Sequence, residues 1–154
     1  MAYGLTHKSD LQVVAMQVCD CLGHGANGKA IDLLLETAGA ETSRGLTRDL
    51  SMGAGMGITQ IDKLPFQDIK DRCRHADKVS IYDYFDIDLD LVEWEHLRYN
   101  PLLCFIFTRL KYKKIPEAIP IKMEDRAKYW KQYYNTVEGK GTQEHYIYEN
   151  LRFA

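Results

Sequence analysis

The sequence predicts one mainly α-helical domain over residues 1–154, with a small irregular β or loop segment. Three observations predict it. Apolar residues recur at spacings of three and four in several separate stretches. Three glycines, Gly53, Gly55 and Gly57, crowd one short segment. No repeat, low-complexity tract or Pro/Gly-rich linker divides the chain, whose 154 residues are close to the commonest size of a domain.

Ser9 and Asp10 read as the cap of a first helix whose stripe is Leu11, Val14, Ala15, Val18, Cys19 and Leu22, stopped by Gly23 and Gly25. Asn27 reads as the cap of a second. Its stripe is Ile31, Leu34, Leu35 and Ala38, and it closes near Thr42, before Gly45. Residues 45–61 read as a loop or irregular β-segment, with Met52, Met56 and Ile58 among the glycines, where backbone must come close to something. Asp62 then suits the cap of a helix over roughly 65–76, with Phe66, Ile69 and Cys73 on one face.

The stretch 79–98 mixes strand-like Ile81, Tyr82, Tyr84 and Phe85 with helical Leu89, Val92 and Leu97, and is read as a turn followed by a helix from about 88. Asp86, Asp88 and Asp90 alternate like the start of a calcium loop. Leu91 and Leu97 stand where that loop needs Gly and Glu, which leaves a solvated acidic face. Asn100-Pro101 is a strong helix start, and Leu102 to Leu110 follow, apolar nearly all round, as in a buried central helix. The segment Lys111–Lys114 with Pro116 and Pro120 ends it. A last helix opens near Met123, with Glu124 and Asp125 at its positive end. It carries Ala127, Trp130 and Tyr134 on its stripe and ends at Asn135, before Gly139 and Gly141. The tail, with Tyr146, Tyr148 and Phe153, is expected to pack back on the body.

Composition narrows the function. A net charge of −2 and a pI near 6.2 supply none of the basic excess that phosphate contacts require, which argues against nucleic acid as the main partner. No apolar run approaches the roughly 20 residues of a membrane span. The first eight residues lack the apolar core of a secretory signal, so the expectation is a chain made and folded in the cytoplasm. The cysteines are Cys19, Cys21, Cys73 and Cys104. Cys19 and Cys21 do not make a CxxC pair. A metal site with His24 is imaginable, but Cys19 and Cys104 sit in apolar helical stretches, so reduced thiols, no metal and no cofactor are expected.

Acid catalysis near neutral pH needs a carboxyl group whose pKa is raised by an apolar surround. Two glutamates lie on the second helix. With Ile31 as zero, Glu41 falls about 80° away on the rim of the stripe and Glu36 about 140° away, facing water. Glu41 is also at the negative end of the helix dipole, which disfavours a second negative charge. The same periodicity also fits a plain surface glutamate at a helix end, so it nominates Glu41 without assigning it.

Beyond Glu41-Thr42 come Gly57-Ile58-Thr59-Gln60-Ile61, with Gln60 nineteen positions past Glu41, and then Asn100-Pro101 through Arg109, Leu110 and Tyr112. Last comes Tyr134-Asn135-Thr136-Val137-Glu138-Gly139-Lys140-Gly141-Thr142. In that order, over roughly 28–142, the chain resembles the soluble lytic transglycosylases and goose-type lysozymes, most closely small phage and prophage proteins of that kind. The resemblance implies a lysozyme-like helical fold with the irregular segment lining a saccharide cleft. It implies a peptidoglycan glycan strand as substrate, cut at the β-1,4 link between N-acetylmuramic acid and N-acetylglucosamine. Glu41 would be the single acid and then base. Gln60, with the backbone of Gly57 and Ile58, would hold the saccharide. Thr42 stands in the family's Glu-Ser pair, Tyr134 would lie near Glu41, and Asn135 would hold the cleft wall. The chain departs from the pattern with Thr42 for Ser, Thr59 for Met or Phe, and Thr136 for Ala.

Several alternatives stay open. Asp62 is either a helix cap or a second carboxylate, and the product is either the 1,6-anhydro sugar or its hydrolysed form. Arg48 and Asp49 could reach the site from the loop after Arg44. Without a signal, delivery falls to a virion that pierces the wall, in company with other tail proteins, or to release through a holin. The rival functions are a non-catalytic virion or tail adaptor on the same fold, and a saccharide-binding module without turnover.

Overall fold

A computed structural model describes residues 8–46, 55–136 and 139–153. The N-terminal segment ahead of Lys8, together with Arg48, Asp49, Met52, Gly53, Val137 and Glu138, lies outside the described residues. The chain is mainly α: α1 (Lys8–Leu22), α2 (Ala30–Thr42), α3 (Lys63–Arg72), α4 (His75–Phe85), α5 (Pro101–Lys113), α6 (Met123–Trp130) and α7 (Gln143–Leu151). Two 3-10 turns, Leu89–Leu91 and Trp94–Tyr99, precede α5, and a π turn, Lys131–Asn135, extends α6. Among the described residues no strand forms; Met56 and Ile61 make an isolated antiparallel bridge. No helix among them is long and apolar enough to cross a membrane.

α5 runs through the centre. Asn100 caps it by accepting from the Leu103 amide at 3.0 Å, and Pro101 occupies the first turn, where its missing N–H costs nothing. Every residue from Leu103 to Leu110 is buried, and α1, α2 and α3 pack around them. Polar members of this run find partners. Arg109 donates to the carbonyl of Gly23 at 2.9 Å, placing a cation at the C-terminal end of α1.

Several details depart from the sequence reading. Ser9 and Asp10 fall in the first turn of α1 instead of capping it. Asn27 does not cap α2; its side chain donates to Ile119 O at 2.6 Å and ties the α1–α2 loop to the chain beyond α5. The strand-like residues Ile81 to Phe85 are helical, because Ile81 packs into the core from α4. Residues 89–99 form two 3-10 turns, not a helix from 88.

The tail is a further helix. Thr142 caps α7, and Tyr146 and Asn150, four apart, bury themselves against α2 and α6. Tyr148 faces outward, 70% exposed, so it takes no part in that packing.

α7 overturns the placement of Glu36. It covers the side of α2 that the stripe leaves bare, so Glu36 is 5% exposed instead of facing water. Its carboxylate takes both arms of Arg126, at 2.7 and 2.8 Å, and the Tyr146 hydroxyl at 2.7 Å. This pairing raises the Arg126 pKa further. Gly39 is required one turn on, since a Cβ there would run into the Asn150 side chain.

Candidate active site

The site is assembled around the turn from Met56 to Ile61. Paired Met56–Ile61 backbone bonds of 3.0 and 3.1 Å close the turn, and Gly57 and Gln60 take left-handed conformations within it. Three elements hold it. The Thr42 hydroxyl, beside Glu41 at the end of α2, lies 2.7 Å from Ile58 O. The Tyr134 hydroxyl donates to Thr59 O at 2.7 Å. Thr108 of α5 reaches the Thr59 hydroxyl at 2.8 Å. Buried carbonyls of a tight turn need donors, and those of Ile58 and Thr59 find them on two distant stretches of chain, while Thr108 ties the Thr59 side chain to α5.

Gly57 has two reasons to be glycine. Its φ is +79°, and a Cβ would meet Cys104 Sγ and Leu97 O, so α5 and the preceding turn press directly on the backbone. Gly57→Ala is therefore expected to cost about 2–4 kcal/mol, combining left-handed backbone strain with overpacking. A urea unfolding series measures it; a loss under about 0.5 kcal/mol, the range of a neutral surface change, would contradict the packing described.

The π turn has a matching purpose. The Thr136 amide reaches back five residues to Lys131 O at 2.7 Å, and Tyr134 lies buried in this widened turn. The ring of Tyr134 stacks on Tyr112 with centroids 5.3 Å apart, and Tyr112 shares a 2.9 Å hydroxyl bond with Thr37. Burial, with the negative charge of Glu41 adding to it, pushes the Tyr134 phenol far above its ordinary pKa, so it acts only as a neutral donor.

Glu41 is half-buried, in the last turn of α2. Its charge is felt by Tyr134, Tyr112 and Lys111, which places all three in its neighbourhood. Lys111 belongs to the basic run that the sequence presents as a helix end. Instead its ammonium lies 4.2 Å from the Tyr134 ring centroid and donates to Tyr134 O at 3.3 Å. Burial lowers its pKa, while Asp62 and Glu41 pull the other way.

Asp62 occupies the cap position of α3 but makes no cap hydrogen bond with its side chain. Its side chain is exposed, and partial desolvation raises its carboxyl pKa while Lys111 draws it back. The charges of Glu41 and Asp62 both act on the Lys111 ammonium.

The other nominated residues divide. The side chains of Thr42 and Ile58 are buried, and the two residues are hydrogen-bonded to each other. Gln60 is partly exposed, and its amide donates to Gly57 O at 2.8 Å. Asn135 accepts from Lys131 at 2.7 Å and packs against Gly139, so its contacts brace the π turn. The cysteines are free, and burial pushes the Cys104 thiol up to about 12, far from reactive. Among the described residues no group of three or more His, Cys, Asp or Glu is placed to hold a metal.

Comparisons with models of known families, with curated protein sequences and with solved structures each return no match for this chain.

Proposed function

We propose that this chain is a lysozyme-like muramidase that cuts the glycan strand of peptidoglycan, with Glu41 as its acid and then its base. The observation that carries this reading is the Met56–Ile61 turn, bonded at successive carbonyls to Thr42, next to Glu41, and to Tyr134. Three segments far apart in sequence, each nominated for the same chemistry, meet at one turn. Glu41 would protonate the oxygen leaving from the N-acetylmuramic acid residue. The substrate's N-acetyl group would support the developing charge. Glu41, now ionised, would accept the proton of the 6-hydroxyl as the 1,6-anhydro ring closes. Gln60 and the turn backbone would hold the saccharide, and Asn135 would brace the wall behind it. The bearer is a phage-encoded chain carried in the virion and acting at the cell wall, alongside other tail components.

Asp62 supports a second reading. A carboxyl group that makes no cap hydrogen bond, with a raised pKa and within the field of the same lysine, suits a base that activates water and gives a hydrolysed product.

Loss of turbidity in a suspension of purified peptidoglycan tests the enzymatic reading. Clearing by the wild type and none by Glu41→Gln is expected. Equal clearing by both, or none by either, would leave the adaptor reading standing.

Lys111 adds a pH dependence. A cation near Glu41 favours the ionised carboxylate, so removing it raises the pKa of the acid. Activity that needs the protonated acid then persists to higher pH. Lys111→Met is expected to move the alkaline limb of the rate profile upward; a downward shift would contradict the coupling.

A further inference from the structure

A cavity of about 330 Å³ lies away from Glu41, where α3, α4 and α5 meet, with Arg72, Arg74, Lys113 and Lys114 in its wall. We propose that it binds a small phosphate monoester. Its volume is at the lower end of ligand pockets, which fits a phosphate on a compact body.

The fold brings these cations together for local reasons. Leu110 and Lys113 of α5, and Lys114 just past its end, fall on one face by their three- and four-residue spacing, while Lys111 turns toward Tyr134. Only Cys73 and Arg74, both extended, separate α3 from α4, so Arg72 and Arg74 flank one sharp corner. Arg74 is also the cap residue of α4, whose positive end therefore stands at the rim.

The charges do not cancel. Asp77, buried in the wall, takes Lys113 at 2.7 Å and Arg74 at 3.4 Å. Asp68, just outside, takes Lys114 at 2.6 Å and Arg72 at 2.9 Å. Four cations against two carboxylates leave two positive charges over, the complement of a dianion. Nearby Lys78 is matched by Asp90 at 2.8 Å and leaves that balance unchanged. Two guanidinium forks suit the tetrahedral oxygens of phosphate. Ile69 and Leu110 offer an apolar floor to the body of the ligand, and the lining has no aromatic ring on which a base could stack.

Calorimetric titration of the whole chain at low salt and about pH 7.5, where a phosphate monoester is dianionic, tests this. The probes are inorganic phosphate, glycerol 3-phosphate, dimethyl phosphate and succinate. Saturable binding of the first two is expected, at least about tenfold weaker for monoanionic dimethyl phosphate and for planar-headed succinate. Tighter binding of glycerol 3-phosphate than of phosphate assigns an organic monoester; equal binding assigns the free ion to the same dianion site. Arg72 and Arg74 are exposed, so the variant Arg72→Gln/Arg74→Gln keeps its fold, checked by circular dichroism, and is expected to bind at least about tenfold more weakly. No saturable heat from either phosphate, unchanged affinity in that variant, or succinate or dimethyl phosphate binding as tightly as glycerol 3-phosphate would each overturn the proposal. All of these outcomes are independent of Glu41.

Discussion

Arg126→Met is expected to lower the free energy of unfolding by about 3–5 kcal/mol, the scale for stranding one member of a buried ion pair. Arg126 and Glu36 are each only about 5% exposed, and the two hydrogen bonds between them are short. Without the guanidinium, Glu36 keeps one donor to its carboxylate, the Tyr146 hydroxyl, and must protonate or draw in water. The carbonyls of Pro120 and Ile121 lose the same partner. Chemical denaturation of the variant measures the loss. The double variant Glu36→Met/Arg126→Met should recover a large part of it, because an apolar pair of similar volume no longer buries a lone charge. Equal stabilities of wild type and Arg126→Met would mean that the pair is open to water.

Glu41→Gln is expected to lower kcat by about 100- to 10,000-fold, the usual contribution of a positioned general acid. Glutamine preserves shape and loses only the transferable proton. Glu41 is half-buried and lies at a helix end, so the fold should survive the change. An unchanged unfolding midpoint beside a collapsed rate assigns the effect to chemistry. A collapsed midpoint would make Glu41 a structural residue instead.

The sequence made the individual helices readable where their signals are local. The Asn100 cap and Pro101 announce α5, and the stripe of Ala127, Trp130 and Tyr134 announces a helix to Asn135, though not that its last five residues form a π turn. What could not be read there is what each helix face meets. Glu36 points away from the Ile31 stripe of α2, and a wheel assigns that direction to water. The face is covered by α7, whose Tyr146 lies 110 residues further along. The sequence reading took the tail only as packing back on the body and missed α7, whose local signals are Thr142 as a cap and Tyr146 and Asn150 one turn apart.

The candidate site divides in the same way. Helix periodicity nominated Glu41 and the resemblance nominated Gln60 and Tyr134; the turn that carries Gln60 is bonded to Thr42 and to Tyr134. Lys111 escaped notice because a lysine inside a basic helix end looks solvated. Only the packing of Tyr134 against it shows that it is largely enclosed. Asp62 was open between two roles, and the absence of a cap hydrogen bond from its side chain removes one reason to call it structural.

Mass spectrometry of the soluble fragments from purified peptidoglycan tests the central claim most directly. The wild type should release disaccharide-peptides ending in 1,6-anhydro-N-acetylmuramic acid, each about one water lighter than the hydrolysed form, while Glu41→Gln releases none. Intact glycan strands after prolonged incubation with the folded wild type, or the same fragments from Glu41→Gln, would contradict it.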